Sequence, residues 1–420
     1  MFGERAKDAI PPLIFAIIKP LTPPDIKLTF LDENIEPVQD TVCDAVAISM
    51  DTFTARRSYT LASGFRTRGI PVILGGIHAT LCPDEAAQHA NSVVTGEAEG
   101  VWGDVVSDLR AGKLKPRYIS ASSIDLSKTR YDYSVFAGKK YNPVGLIQFS
   151  RGCKFNCDFC SVHAIYGSMP RTRPAAAVAQ TIRQLRGKVL LFADDNFFTD
   201  PERANELLAE LKPLKRRWVC QISMDAARDL SLLCRLRQSG CVMVIMGFES
   251  LEKDNLLLMN KNPNLAADYS TVIENVRKAG LMLYGTFVIG YSADMAETAL
   301  RLAAYAQKHG FAVANFNPLI PLPGAGLYER LRQEGRLLYD DWWNDPSYRY
   351  GDTAFQPRGM SPEQLAESCR RARYVFYSFK GILSRLRGVN AKGFFNIWVY
   401  LLINFVSGMS IRHKQGRRLG

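Results

Sequence analysis

A chain of 420 residues with 47% hydrophobic and 22% charged content can bury more than one core, which excludes a disordered or low-complexity protein. Cys43, Cys82, Cys220, Cys234, Cys241 and Cys369 stand singly in apolar or helical surroundings, the habit of reduced buried thiols and not of a secreted disulfide framework. The net charge of +12 gathers late, at Arg370, Arg371, Arg373, Lys380, Arg385, Arg387, Lys392, Arg412, Lys414, Arg417 and Arg418; no RNA-binding signature accompanies it, and a solvated basic face or an anionic membrane surface accounts for it without nucleic acid.

Met1 to Ile10 contains Glu4, Arg5, Lys7 and Asp8 and lacks the basic-then-apolar pattern of a secretory signal, so a cytoplasmic protein is expected. To about residue 115, apolar runs alternate with helical patterns. Ile26–Leu31, Ala45–Met50, Val72–Gly75 and Ser92–Thr95 read as buried strands, and Pro11–Leu21, Ala55–Arg68 and Asp84–His89 as helices. This is the rhythm of a doubly wound parallel sheet, whose ligands bind at the carboxyl ends of the strands. Those ends carry Asp51-Thr52-Phe53-Thr54, Gly75-Gly76-Ile77-His78-Ala79-Thr80 and Gly96-Glu97-Ala98-Glu99-Gly100. No strand precedes the first helix, so the expected sheet is truncated, rearranged, or begun further upstream. His78 reads as a turn-capping residue or a ligand contact.

A polar connector, residues 116–143, leads to a stronger β/α alternation over residues 144–330. Strands are expected at Gly145–Ser150, Val189–Ala193, Trp218–Ser223, Val242–Gly247, Leu283–Ile289 and Val313–Leu319. Helices fall between them, near Ala175–Leu185, Pro201–Leu211, Leu230–Gln238, Leu265–Lys278 and Met295–Lys308. Six such units with right-handed crossovers build a curved parallel sheet, a partial (β/α)6 barrel. Residues 331–420 form a helical C-terminal region. Trp342, Trp343, Tyr348 and Tyr350 open it, an amphipathic helix follows from Pro362 to about Phe379, and Phe394–Val406 is apolar. As a helix that last run spans only about 20 Å, short of a bilayer crossing, and Asn396 and Asn404 oppose one. Packing on the protein is expected ahead of contact with a membrane surface.

The most informative stretch is Phe149-Ser150-Arg151-Gly152-Cys153-Lys154-Phe155-Asn156-Cys157-Asp158-Phe159-Cys160. Three thiolates on one loop can each bind one iron of a four-iron cluster, leaving the fourth iron open to a small molecule. A zinc knuckle completed by Asp158, His163 or a distant cysteine is the alternative, but zinc sites usually add a second ligand pair at short spacing, and none occurs. The C-x3-C-x2-C array, with Phe159 before the last cysteine, resembles the signature of the radical S-adenosylmethionine (radical SAM) enzymes. The strand-end loops of the N-terminal region resemble the cobalamin-binding domain that precedes the barrel in one class of that family.

The resemblance implies a [4Fe-4S] cluster on Cys153, Cys157 and Cys160, with SAM chelating the unique iron. It places SAM contacts at Phe159 and at the strand ends: Asp194 and Asp195 toward the amino group, Gln221, Ser223 and Asp225 in the same mouth, Glu249 beyond them, and Gly285 and Gly290 where an adenosine would lie against backbone. Arg171 and Arg173 would hold a carboxylate or form a solvated turn. The cobalt-ligating pattern D-x-H-x-x-G is missing, and cobalamin is left open. Two chemistries are implied: cobalamin-dependent methyl transfer to an unactivated centre, or cobalamin-independent chemistry, including transfer of a 3-amino-3-carboxypropyl group from SAM to a heteroatom. Either takes a small-molecule substrate and an electron donor such as flavodoxin or ferredoxin. A non-catalytic scaffold would show eroded cluster ligands, and these are intact.

Overall fold

The computed structural model describes residues 9–38, 41–120, 123–185, 187, 189–386, 388–389 and 394–417. Two parallel sheets and a helical C-terminal region make up the α/β fold. The first sheet holds β1 (Val46–Ser49), β2 (Val72–Gly75), β3 (Ser92–Thr95) and β4 (Arg117–Ile119), hydrogen-bonded in that order. Two expectations fail here. Residues 26–31 form no ladder, and Arg117–Ile119, assigned to the connector, is the fourth strand. The sheet has no interior gap, because the strands present pair consecutively and β1 becomes an edge.

Helices cover both faces of this sheet. Ile73, Val94 and Tyr118 pack with Trp102, Val105 and Val106 from the helix Trp102–Arg110 and with the helix Leu13–Leu21. On the other face Val72, Leu74 and Val93 meet Tyr59, Ala62 and Phe65 of the helix Ala55–Thr67. The same core takes in Trp342, Trp343 and Tyr348, so the aromatic segment of the C-terminal region returns to cap the first sheet. Trp342 donates its indole N–H to Pro321 O at 2.8 Å, and its ring meets Phe53 edge-on.

The second sheet begins with β5 (Val144–Ile147), followed by the short antiparallel pair β6 (Ser150–Arg151) and β7 (Arg171–Thr172). It continues through β8 (Val189–Phe192), β9 (Arg217–Ile222), β10 (Cys241–Glu249), β11 (Met282–Ile289) and β12 (Val313–Pro318). The order β12-β11-β10-β9-β8-β5 is parallel throughout and forms the partial barrel. Alternation along each strand separates two environments. Ile147, Leu190, Phe192, Trp218, Val244 and Phe287 are buried under the outer helices. Leu146, Leu191, Ile245, Tyr284, Thr286, Val288, Asn315 and Asn317 are half-buried and face the open concave side.

Local capping explains the helix boundaries. Asp200 accepts from the Arg203 amide, with Pro201 opening the helix Pro201–Leu211. The helix expected over 265–278 is broken because Asp268 caps a new one, Tyr269–Lys278, by accepting from the amides of Ser270 and Thr271. Ser361 and Gln364 form a reciprocal capping box at the head of Pro362–Phe376.

Candidate active site

The cysteine loop leaves the carboxyl end of β5 and is tied down on all sides. Asp194, at the end of β8 and fully buried, accepts from Phe149 N at 3.2 Å, from Ser150 Oγ at 2.5 Å and from Ser150 N. Burial pushes its pKa up to about 7 against those donors. Both its oxygens are therefore occupied by the root of the loop, which makes Asp194 a positioning residue. Asp195 accepts from Gly152 N at 3.1 Å, where Gly152 takes φ +88°, and burial raises its pKa too. Asp158 makes a bidentate pair with Arg330 (2.8 and 2.7 Å) and accepts from Tyr291 OH at 3.2 Å. His163 Nε2 lies 3.0 Å from Cys153 O. The two residues that could have completed a zinc knuckle are thus engaged elsewhere.

The three thiols suit a cluster. All three cysteines are free of disulfides. Hydrogen bonding from the Phe155 backbone and the Asn196 side chain works to lower the Cys153 pKa, and that from the Val162 backbone works to lower the Cys160 pKa. Donors of this kind support cluster sulfurs. Burial raises all three thiol pKa values, that of Cys160 to about 11, so deprotonation falls to a bound metal. Among the described residues the one set of three ligand atoms converging within 4.8 Å is His78, Cys82 and Glu85.

Beyond the loop, Glu249 ends β10 at a register shift and takes the left-handed φ of +61°. A non-glycine residue held there is strained, and such strain collects at functional sites. Asn264 holds the turn by donating to Gly247 O (2.8 Å) and Phe248 O (3.0 Å), and Tyr269 OH donates to Phe248 O at 2.8 Å. A Cβ at Gly247 would meet the Glu249 carboxylate, so the glycine leaves that side chain room beside the strand. Glu249 Oε1 accepts from Lys261 Nζ at 3.0 Å, and that ammonium lies 5.6 Å from the centre of the Phe159 ring. Burial works against the Lys261 charge, but Glu249 and the thiols of Cys157 and Cys160 hold its pKa above the ordinary lysine value. Lys261 is a site residue the motif did not reveal.

The remaining expectations divide. Gln221 is exposed near the end of β9, level with Ile245 on the concave side. Ser223 donates to Asp225 and accepts from Asn196 at 3.2 Å, and Asp225 pairs with Lys154 at 2.8 Å, so these line one rim of the cysteine loop. The two glycines are corrections. Gly285 falls on the outer face by strand parity, and a Cβ there would meet the Phe311 ring. Gly290 (φ +129°) lies under Leu365 and Phe355, whose atoms would be 2.9 and 3.0 Å from a Cβ. Protein packing, not a nucleoside, demands both.

Arg171 and Arg173 are likewise not a solvated turn. Arg151 Nη1 pairs with Glu97 Oε1 at 2.5 Å and its Nη2 with Glu99 Oε1 at 2.7 Å, while Arg171 Nη1 pairs with Glu97 Oε2 at 2.6 Å. Arg173 is buried, donates to Gln148 O at 3.0 Å and lies 4.5 Å from the centre of the Tyr131 ring. The β3 loop of the first sheet is thus clamped to β6 and β7, one residue from the cysteine motif. On the opposite rim Gly324, after β12, packs against Leu81 and Ala164. The carboxyl ends of the two sheets therefore face each other.

The loops at the first-sheet mouth are closely packed. Gly96 and Gly100 lie against Ser120, whose buried hydroxyl has no hydrogen-bond partner. His78 is fully buried, with Nδ1 3.2 Å from Thr52 Oγ1 and Nε2 3.5 Å from Glu85. It fills a structural position, so a cobalamin held here would have no cobalt ligand from His78.

Residues 147–303 match the Radical SAM superfamily. Bacteriochlorophyllide d C-8(2)-methyltransferase of Chlorobaculum tepidum is 30% identical over 354 residues, covering 79% of this chain and 78% of that protein. Bacteriochlorophyllide d C-12(1)-methyltransferase of the same organism is 29% identical over 392 residues, covering 90% and 85%. Among solved structures, the radical S-adenosylmethionine methyltransferase TsrM from Kitasatospora setae, with cobalamin and a [4Fe-4S] cluster bound, aligns with a TM-score of 0.55 at 15% identity over 80% of this chain and 71% of that one. The chain belongs to the radical SAM superfamily, in the class that carries a cobalamin-binding-type domain ahead of the barrel. It is an enzyme whose fold calls for a [4Fe-4S] cluster and SAM.

Proposed function

We propose that this enzyme methylates an unactivated centre of a hydrophobic small molecule in a cobalamin-dependent reaction. One observation carries the reading: the β3 loop of the cobalamin-type sheet is joined by buried ion pairs to Arg151 and Arg171 of β6 and β7, which flank the cysteine loop, so a ligand on that sheet's mouth lies against the cluster loop. When bound, the cluster supplies the electron that cleaves SAM, and cobalamin supplies the methyl carrier.

In this reading Cys153, Cys157 and Cys160 hold the cluster, and Asp194 and Asp195 fix the loop that bears them. Glu249 and Gln221 face SAM, with Lys261 holding Glu249 in place through its 3.0 Å ion pair. The cobalamin-type sheet runs to Ile119, because β4 joins it and shortens the expected 116–143 connector; the barrel follows over 144–330 and the C-terminal region over 331–420. Leu146, Leu191, Ile245 and Val288 give the concave face an apolar lining, with Tyr284 and Asn315 (2.7 Å apart) as a polar pair. That mixture suits a large apolar substrate with a few polar groups, of the kind named for the two bacteriochlorophyllide d methyltransferases. A cytoplasmic flavodoxin or ferredoxin would deliver the electron.

The occupied His78 and the four-stranded sheet favour a second reading, in which SAM chemistry proceeds without cobalamin. Anaerobic reconstitution with SAM and a strong reductant, with and without added cobalamin, separates the two. Cobalamin-dependent S-adenosylhomocysteine together with 5′-deoxyadenosine supports methyl transfer. 5′-Methylthioadenosine formed without cobalamin means cleavage on the amino-acid side and ends the methylation reading.

A further inference from the structure

The helix Phe394–Lys414 has two faces with opposite fates. At about 100° per residue, Asn396, Val399, Tyr400 and Asn404 fall on one arc, and all four are buried. Asn404 Nδ2 donates to Ala312 O at 3.0 Å, its Oδ1 accepts from Arg385 at 2.9 Å, and Tyr400 OH donates to Ile382 O at 2.6 Å. The other arc carries Ile397, Trp398, Leu401, Leu402, Phe405 and Met409. All six are exposed, Phe405 by 65% and Trp398 by 50%. Between 397 and 409 every exposed position is apolar, and the next exposed one is Arg412. The adjoining helix Phe379–Arg385 adds Phe379, 78% exposed, and Leu383. A contiguous stripe of this kind marks an interaction surface.

Charge identifies the partner. After Glu367 the chain has no Asp or Glu and eleven Lys or Arg; removing eleven from the net +12 leaves +1 for residues 1–367. Arg373 and Arg385 are buried, and Arg370 pairs with Glu367, but Arg371, Lys380, Arg412 and Arg417 are exposed. Two copies of this face would bring positive rims together. Nucleic acid would leave the apolar stripe in water. No helix among the described residues is long and apolar enough to cross a membrane. We propose that the exposed arc of Phe394–Lys414, with Phe379 and Leu383, docks in the plane of an anionic phospholipid bilayer, its apolar side chains at the acyl boundary and its basic residues among the headgroups.

Trp398 provides the probe, because Trp102, Trp218, Trp342 and Trp343 are each at most 9% exposed. The full-length protein is mixed with phosphatidylcholine vesicles containing about 30% phosphatidylglycerol, with brominated acyl chains for fluorescence quenching. Expected are co-sedimentation, quenching that disappears in Trp398→Phe, and binding weakened at least about tenfold by about 0.5 M salt or by omitting the anionic lipid. The double variant Leu402→Ser, Phe405→Ser loses binding by at least about tenfold with an unchanged melting temperature, since both side chains are already exposed. Absence of co-sedimentation and quenching overturns the proposal. So does a dimer, seen by light scattering, that the same double variant disperses, which would make the face a contact between copies.

Discussion

Replacing Glu97 by Gln removes one charge from a buried cluster of two arginines and two glutamates. Arg151 and Arg171 then share Glu99 alone, and Glu99 bonds only to Arg151. Burial opposes the Arg151 charge, but Glu99 and Glu97 hold its pKa above the ordinary arginine value, so it stays charged in the variant. Breaking a buried ion pair from one side costs about 3–5 kcal/mol, because the remaining charge is left desolvated. At 1.36 kcal/mol per factor of ten, about 3 kcal/mol is roughly a hundredfold increase in the open population of the joint. The Arg173 amide, which donates to Phe149 O at 2.8 Å beside the β6–β7 pair, closes with that joint. Amide hydrogen exchange at Arg173 is expected to accelerate about a hundredfold, while Val244 in the middle of β10 stays protected. Adding Arg171→Met removes the stranded cation and restores about tenfold of that protection. An acceleration below about threefold in Glu97→Gln would show that the glutamates merely decorate the interface.

Two further outcomes follow from the site's charges. Lys261 and Glu249 act on a reconstituted cluster with opposite sign, since reduction adds a negative charge. Lys261→Met should lower the midpoint potential and Glu249→Gln raise it, each on the order of tens of millivolts, in a redox titration followed by electron paramagnetic resonance without SAM. Shifts of the same sign would mean that the pair does not face the cluster. Glu85 is pushed up by burial but pulled further down by His78 and Asn344, from 4.5 to about 2. Its contribution to stability is present above the unfolded value and is lost as pH falls toward 2. The shift corresponds to about 3 kcal/mol, reduced to about 2 kcal/mol by partial exposure. The stability gap between the wild type and Glu85→Gln, from urea unfolding of the cluster-free proteins, should shrink by about that amount between pH 5 and pH 2.5. A gap independent of pH would contradict it.

Local chemistry made the barrel and the cysteine loop legible in the amino-acid sequence. Strand parity and the spacing of Cys153, Cys157 and Cys160 act over a few residues, so a linear reading recovers them, although it missed the Asp268 cap that breaks the helix expected over 265–278. The same reading put Gln221 on the concave side and failed on Gly285, whose parity is opposite and whose missing side chain makes room for Phe311. Contacts between distant segments were out of reach. Lys261 meets Glu249 only because a bulge turns Glu249 to a positive φ, and Arg151 meets Glu97 only when the two sheets dock. Arg385 reads as surface charge, yet it is fully buried and donates to the carbonyls of Phe311, Ala312, Phe376 and Gly381 and to Asn404. The sequence by itself determined the parallel α/β layout and the cluster loop, because short-range periodicity and ligand spacing suffice for them. Only the tertiary structure decided which charges lie inside, which glycines serve packing, and which face of the last helix is left to solvent, because each depends on segments that become neighbours only on folding.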